Sequence, residues 1–586
     1  MPPRSRKSAP SFVERHDLWT ADQARLGAEV ERTIKKNKIE VVRFSFADQH
    51  GVLRGKTLLA SEAANLAAAG FDRIQLPPAS KAQGGDGAGC DGYGIYDPRD
   101  LGTKNQQGSI PTRYGTADSL RRLIAVAHRY GLSVDLDIVL HQLIGGENAT
   151  YRYLGADGKT LNGRGAMHPG CFRWSPGAGT QPEDDVPVPS DDFSFGDEKV
   201  YQHSNPHRYT SDDALNFGDW LFRTTGADGG RIDDVKGLWA PFVAEFMNHG
   251  AMANKPFYGE YFDGNPANLN WWATSWPMNG RSGVADFSMH FAIENACNNL
   301  NAQALNGAGY AQWNSGLAYG FVDNPDTDTS PGEQVIGSKL LGYAFLLTVN
   351  CHQAVIYGKD YFGSDVWPGA YGLKPLIDNL IYINRTFAYG GQVTRWVDGS
   401  VIVIERDGNG GPIGNSPGLL TALNFDTYNI RKITCATSFG ANVQLHDYTG
   451  RHSDIWTDWQ GNATFWVPPN AYGGGESYLC FSRAWSDKPI VQHPRRTTQE
   501  FFGAPDLDIP PAMPGDFRSI ARIFVERETT AVFFTRDKVE AALLDGAVEV
   551  PGNKPKKTGW YGIGVKTVSP TPVSFVLKVQ YDAGEM

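Results

Sequence analysis

Six cysteines are spread over 586 residues (Cys90, Cys171, Cys297, Cys351, Cys435 and Cys480), and no two of them form a CxxC pair. That spacing encodes neither a zinc site nor a dense disulfide framework, although one or two bridges stay open. An excess of basic charge is lacking too. Lys plus Arg number 54 against 64 Asp plus Glu, a net charge of −10, which offers no electrostatic footprint for nucleic acid and suits an uncharged polar substrate. No uninterrupted apolar run reaches the roughly 18 residues that a membrane-spanning helix needs. The basic opening MPPRSRKSAPSFVERHDLW is followed by no apolar run of the kind a secretory signal requires. As encoded, the chain is expected in the cytoplasm, with secretion the alternative if a leader is missing. There is no internal repeat of fixed period.

Aromatics, by contrast, make up 12% of the chain with 15 Trp, and Gly reaches 67. Loops carrying flat aromatic faces are a composition common where sugar rings are bound. The apolar fraction of 41% fits two to four globular domains. Residues 22–38 carry helical spacing, and Ile39 to Phe46 reads as a β-branched strand. From about residue 61, strand and helix alternate through SEAANLAAAG, FDRIQLPP, SLRRLIAVAHRYG and LSVDLDIVL, the pattern of repeated βα units around a parallel sheet. At about 142–210 a stretch rich in Gly, Pro, Asp and Ser interrupts this, too long for an ordinary loop. It reads as an excursion from the top of the third strand. The expected fold is α/β, a (β/α)8 TIM barrel over 66–394 with that inserted loop domain. Short strands separated by turns predict an all-β domain at 395–485, and a linker with a small β-sandwich at 486–586.

Acidic residues stand at the predicted strand ends: Asp137 in DIVLHQ, Asp233 in GGRIDDVKG, Glu260 in FYGEYFDG and Asp326 in FVDNPDT. One such acid is usually a helix N-cap; four in order are harder to dismiss. Retaining cleavage of a glycosidic bond needs one carboxylate as nucleophile and one carboxyl as acid, about 5–5.5 Å apart, and adjacent barrel loops are good carriers for such a pair. Arg231, two residues before Asp233, points to the same strand face and keeps that carboxylate ionised.

The segments GYGIYDPRDLG, IPTRYGT, DIVLHQ, GGRIDDVKG, FYGEYFD and FVDNPDT resemble, in order and spacing, those of the α-amylase family of glycoside hydrolases. The resemblance runs from about residue 70 to 485. It implies a retaining hydrolase of α-glucans such as starch and maltodextrin, with no nucleic-acid or membrane partner. It also implies Asp233 as nucleophile, Glu260 as general acid/base, Asp326 as the carboxylate that stabilises the transition state, and Arg231 as the guanidinium holding the nucleophile. Tyr93 then resembles the aromatic platform under the sugar and Lys236 a contact to an acceptor-side glucose, while Gln142, which departs from the family, can still donate to a sugar hydroxyl through its amide. A transglycosylase or debranching relative, or a degenerate starch-binding protein, are the alternatives.

Three positions depart from the family: His141 and Gln142 where an Asn and a His usually stand, and Pro325 where a His usually stands. An imidazole is a poor ligand for a hard cation, so calcium is not expected in its usual place and no cofactor is called for. Pro325 offers no side-chain donor, which removes a net hydrogen bond of roughly 0.5–1.5 kcal/mol. Upstream, residues 12–63 resemble the N-terminal segment of glutamine synthetase-like proteins. That family's nucleotide site has no counterpart downstream. Segment 1–65 either supplies the first barrel strand through Val41 to Phe46 or packs outside the barrel.

Overall fold

The computed structural model describes residues 60–87, 89–155, 167–174, 196–201, 208–364, 369–409, 417–483, 494–505, 507–536 and 538–584, all within one compact unit, Ala47–Met586. Val41 to Phe46 and nearly all of segment 12–63 lie outside the described residues.

Seven parallel strands run side by side in chain order: β1 (Arg73–Leu76), β2 (Ser133–Ile138), β3 (Gly229–Ile232), β4 (Phe257–Gly259), β5 (Gly283–Ala285), β6 (Ala318–Phe321) and β7 (Gln353–Val355). Helices α1 (Ala60–Ala69), α2 (Ala117–Arg129), α3 (Tyr209–Thr225), α4 (Ala240–Asn248), α5 (Pro266–Thr274), α6 (Phe287–Asn299), α7 (Lys339–Leu346) and α8 (Lys374–Phe387) alternate with them. Strand β1 ends at Leu76 because Pro77 and Pro78 follow and cannot donate to a ladder. Helix α2 starts at Thr116, whose side chain accepts from Ser119 N–H while the Ser119 side chain accepts from Thr116 N–H, satisfying two otherwise orphaned donors. Its buried face includes Leu120, Leu123, Ile124 and Val126, each contributing about 1.5–3 kcal/mol on burial.

The sheet curves round a narrow interior. Tyr258 of β4 stacks on Tyr319 of β6 at 4.4 Å, and the Tyr258 hydroxyl reaches across to Gln75 of β1. At the opening end, Asp72 accepts from Gln353 of β7 (3.4 Å) and from Arg385 of α8 (3.1 Å). Among the described residues, β1 pairs only with β2 and β7 only with β6.

Between β2 and α3 lies a three-stranded antiparallel sheet of Gln142–Leu143, Asp197–Lys199 and Phe172–Trp174. Its strands shelter a separate apolar cluster that includes Ile95, Leu143, Tyr151, Cys171 and Phe172. Beyond α8, strands between Gln392 and Arg483 form a six-stranded sheet and a two-stranded one, closed over a core of Val401, Val403, Leu420, Phe465 and Phe481. Residues 497–581 form three- and four-stranded sheets. This last module docks on α2 and α3: Gln499 donates to the carbonyls of Arg121 (3.4 Å) and Thr225 (3.3 Å), and Arg223 pairs with Glu500 at 3.1 Å. All six cysteines are unpaired, so the possible bridges do not form. No helix among the described residues is long and apolar enough to cross a membrane.

Candidate active site

Strand register builds the site. In the β2–β3 pair Asp137 lies beside Arg231, and in the β3–β4 pair Arg231 lies beside Tyr258. Side chains alternate along a strand, so Asp137, Arg231, Asp233 and Glu260 converge on the inner face at the carboxyl ends of adjacent strands. The backbone fixes the last two: Asp233 N–H donates to Ile138 O (3.0 Å) and Glu260 N–H to Ile232 O (2.9 Å).

Arg231 is the hub. Its Nη1 donates to both oxygens of Asp137 (2.8 and 2.9 Å) and to Asp233 Oδ1 (2.6 Å), while Nη2 lies 2.5 Å from Glu260 Oε1. The Tyr93 hydroxyl donates to Asp137 Oδ2 at 2.6 Å, and the guanidinium carbon lies 5.9 Å from the Tyr93 ring centre. One cation faces several carboxylates, and burial dominates. Desolvation pushes the Asp233 carboxyl well above its ordinary value, with Arg231 pulling the other way and Glu260 and Asp137 adding to the rise. Asp137 is raised by the same burial, against Arg231 and Tyr93. Arg231 is driven upward by Asp137, Glu260 and Asp233, although its own burial opposes this.

Asp326 differs from expectation in its backbone setting. Strand β6 ends at Phe321, and Asp326 precedes the short 3-10 turn Thr327–Thr329. The cause is an Asn324 turn: its side-chain oxygen accepts from Asp326 N–H (3.0 Å) and Thr327 N–H (2.8 Å) and diverts the chain. The Asp326 side chain stays exposed, yet the surrounding protein, then the charge on Glu260, raises it to about 6 against the pull of Arg231. Its charge is thus coupled to those of Glu260 and Arg231. Behind it sits a buried network: Asp323 receives Thr327 Oγ1 (3.0 Å) and Lys339 Nζ (2.7 Å), and Lys339 also donates to Asp360 at 2.9 Å.

Gln142 is buried and donates to the Tyr93 carbonyl at 3.2 Å, so one amide hydrogen is already engaged. Lys236 donates to Phe262 O at 3.0 Å and lies 3.6 Å from Asp263, fastening the loop that follows Glu260. Pro325 is exposed. Asp137 was legible as a strand-end acid, but its place as the bidentate partner of Arg231 follows only from the β2–β3 register. Asp234, absent from the expected set, has φ 41° and ψ 56° and donates its N–H to Glu260 Oε2 at 3.1 Å.

Calcium fits His141 poorly. Its Nδ1 contacts Gln142 Oε1 at 3.1 Å and lies 3.3 Å from Asp234 Oδ2, where a hard cation would need an oxygen ligand. Among the described residues no group of three or more His, Cys, Asp or Glu side chains could hold a metal ion.

No protein-family model matches the chain. Among curated proteins, it is 26% identical over 494 residues to an α-amylase of Geobacillus stearothermophilus, covering 74% of this chain and 87% of that one. It is also 26% identical over 471 residues to a glucan 1,4-alpha-maltohexaosidase of Bacillus sp. (strain 707), covering 71% and 86%. Among solved structures, an α-amylase from Malbranchea cinnamomea superposes with a TM-score of 0.52 at 16% identity, covering 73% of this chain and 89% of that one. A gamma-CGTase from alkalophilic Bacillus clarkii gives the same TM-score and identity, covering 90% and 89%. The chain is thus similar over about three quarters of its length to proteins of the α-amylase family, and it shares the fold of solved α-amylases.

Proposed function

We propose that this protein is a retaining α-glucan hydrolase that cleaves α-1,4-glucosidic bonds of starch or maltooligosaccharides by double displacement. The observation that carries the reading is Arg231, one guanidinium in contact with Asp137, Asp233 and Glu260 at once. A single planar cation touching two catalytic carboxyls makes them close neighbours, the condition a retaining pair requires. The likeness to curated α-amylases and glucan hydrolases supports the substrate class.

In this reading Asp233 attacks the anomeric carbon while Glu260 gives its proton to the departing glycosidic oxygen. A covalent glycosyl-enzyme remains. Glu260, now ionised, takes a proton from water as that water attacks the same carbon, which releases Asp233 and restores the acid. Arg231 orients Asp233 and favours its ionised form, opposing part of the rise that burial imposes. Asp326 supplies negative charge to the oxocarbenium-like transition state. Tyr93 offers its ring to the sugar and, through its hydroxyl, fixes Asp137. Gln142 holds the Tyr93 backbone with one amide hydrogen and has a second for a sugar hydroxyl. Lys236 positions the loop after Glu260 on the acceptor side. No step runs through a metal. The fold inferred with this function is a (β/α)8 barrel, with the sheet around Gln142 and Asp197 as its inserted loop domain.

The test is incubation with soluble starch and with defined maltooligosaccharides, following products by proton NMR. The expected outcome is shorter oligosaccharides released first as α-anomers. Initial β-anomers would overturn the retaining assignment, and an inert protein that still binds starch would overturn the enzyme. The likeness of part of the chain to a cyclomaltodextrin glucanotransferase of Bacillus licheniformis favours transglycosylation as the second reading. Longer products formed at high maltooligosaccharide concentration would reveal it.

A further inference from the structure

Asp234 immediately follows Asp233 and adopts a left-handed conformation, φ 41°, which costs a non-glycine residue roughly 1–2 kcal/mol and persists only where surroundings hold it. Local hydrogen bonds account for part of the holding. Asp234 Oδ1 accepts from Gly237 N–H at 3.3 Å, and the Asp234 carbonyl accepts from the same N–H at 3.2 Å. The other carboxylate oxygen faces a different loop: Oδ2 lies 3.3 Å from His141 Nδ1, on the segment that follows β2. His141 is 3% exposed and is itself fixed, its carbonyl accepting from Lys199 N–H at 2.8 Å and its Nδ1 contacting Gln142 Oε1 at 3.1 Å.

Gly237 completes the fit. A Cβ built there would stand 2.7 Å from Asp234 Oδ2 and 3.0 Å from His141 Nε2, so any side chain at 237 would push the carboxylate or the ring aside. What this arrangement presents to the cleft is the backbone N–H of Asp234, aimed at Glu260 Oε2 at 3.1 Å. Glu260 Oε1 is taken by Arg231. The two oxygens of Glu260 thus have different partners, one a side-chain cation and one a main-chain donor whose direction depends on the Asp234 turn.

We propose that Asp234 and His141, packed against Gly237, are positioning residues that hold the Asp234 turn and thereby orient the Glu260 carboxyl for proton transfer to the leaving group. The pair couples the loop after β2 to the loop after β3, so the excursion that begins at Gln142 and the catalytic acid share one support. Neither side chain touches the reacting atoms. Their effect falls on the step that needs a well-aimed proton, and a misplacement of about 1 Å can cost on the order of a hundredfold in such a step.

The inference rests on the hydrolase reading, so wild-type protein is first assayed on maltooligosaccharides; absence of turnover there sinks that reading, whereas the positioning role stands or falls on the variants. Asp234→Ala, Asp234→Asn, His141→Ala and Gly237→Ala are compared on a maltooligosaccharide and on an aryl maltooligoside with an activated leaving group, using kcat/KM for each. Asp234→Ala, His141→Ala and Gly237→Ala are expected to lose about tenfold or more on the maltooligosaccharide and less than about threefold on the aryl substrate, which does not need the proton. Asp234→Asn keeps an acceptor for Gly237 N–H and is expected to recover most of the loss. His141→Ala/Asp234→Ala together are expected to be no worse than the poorer single variant. Equal losses on both substrates, unchanged rates on both, or additive single losses would overturn the proposal. Should Asp234→Ala fail to fold, Gly237→Ala and His141→Ala carry the same comparison.

Discussion

Arg231 Nη2 lies 2.5 Å from Glu260 Oε1, so the residue assigned as acid is anchored by the same guanidinium that holds the residue assigned as nucleophile. Acid and nucleophile therefore cannot drift independently. Breaking the hub at Asp233 or at Glu260 has different consequences, and these separate the two roles.

Asp233→Asn is expected to abolish turnover of maltooligosaccharides, falling by at least about a thousandfold, because the covalent intermediate needs an ionised nucleophile. The circular-dichroism spectrum and melting temperature should stay near wild type, since an amide of the same shape replaces a buried carboxyl whose ionised form burial already disfavours. Activity within tenfold of wild type would refute the assignment.

Glu260→Gln should discriminate by leaving group. Loss of kcat/KM on maltooligosaccharides is expected to exceed that on activated aryl glycosides by about a hundredfold or more, the usual worth of general-acid assistance. Equal losses would show that Glu260 is not the proton donor.

The acid limb of the pH–kcat/KM profile is expected near pH 6 or above. Asp326 is raised to about 6, and burial raises Asp233 and Asp137 in the same direction. Catalysis needs ionised carboxylates, and the ionised fraction grows as pH rises through the folded value, so the rate climbs across that range. The limb belongs to the coupled cluster rather than to one residue. A limb near pH 4, where an ordinary Asp of about 3.9 titrates, would contradict the electrostatic account.

Lys339→Met tests the support behind Asp326. Lys339 donates to Asp323 and Asp360, which burial raises to about 6 each even with the lysine present. Removing a buried partner costs about 3–5 kcal/mol at neutral pH. Both carboxyls hold a proton more tightly folded than unfolded, so folding is favoured by low pH and that advantage is lost as pH rises through the folded value. The variant's deficit in melting temperature should accordingly be larger at pH 8 than at pH 5. A deficit independent of pH would show that the ion pairs are not its cause.

Chelation is expected to cost little. With His141 turned to Gln142 and Asp234, activity after EDTA treatment should stay within about twofold of the untreated enzyme, since an imidazole supplies no oxygen to a calcium shell. Loss of most activity, restored by added calcium, would reverse this.

The chain by itself determined the alternation of strands and helices, because burying a parallel sheet under helices demands apolar runs separated by amphipathic ones, and that periodicity is written locally. It also determined the pairing of Arg231 with Asp233, since residues two apart on a strand share a face. The strand-end acids Asp137 and Glu260 were visible for the same reason. What the sequence could not show was which of these acids Arg231 would hold, because that depends on the register of β2 against β3 and of β3 against β4. The setting of Asp326 was likewise hidden: the Asn324 side chain accepts from the Asp326 and Thr327 N–H groups and turns the chain after β6. Only the folded chain placed His141 against Asp234, two residues from different loops whose contact depends on how those loops close over Gly237. Strand patterns are local and survive in a one-dimensional reading; hydrogen-bond partners across loops are set by packing, and packing exists only in three dimensions.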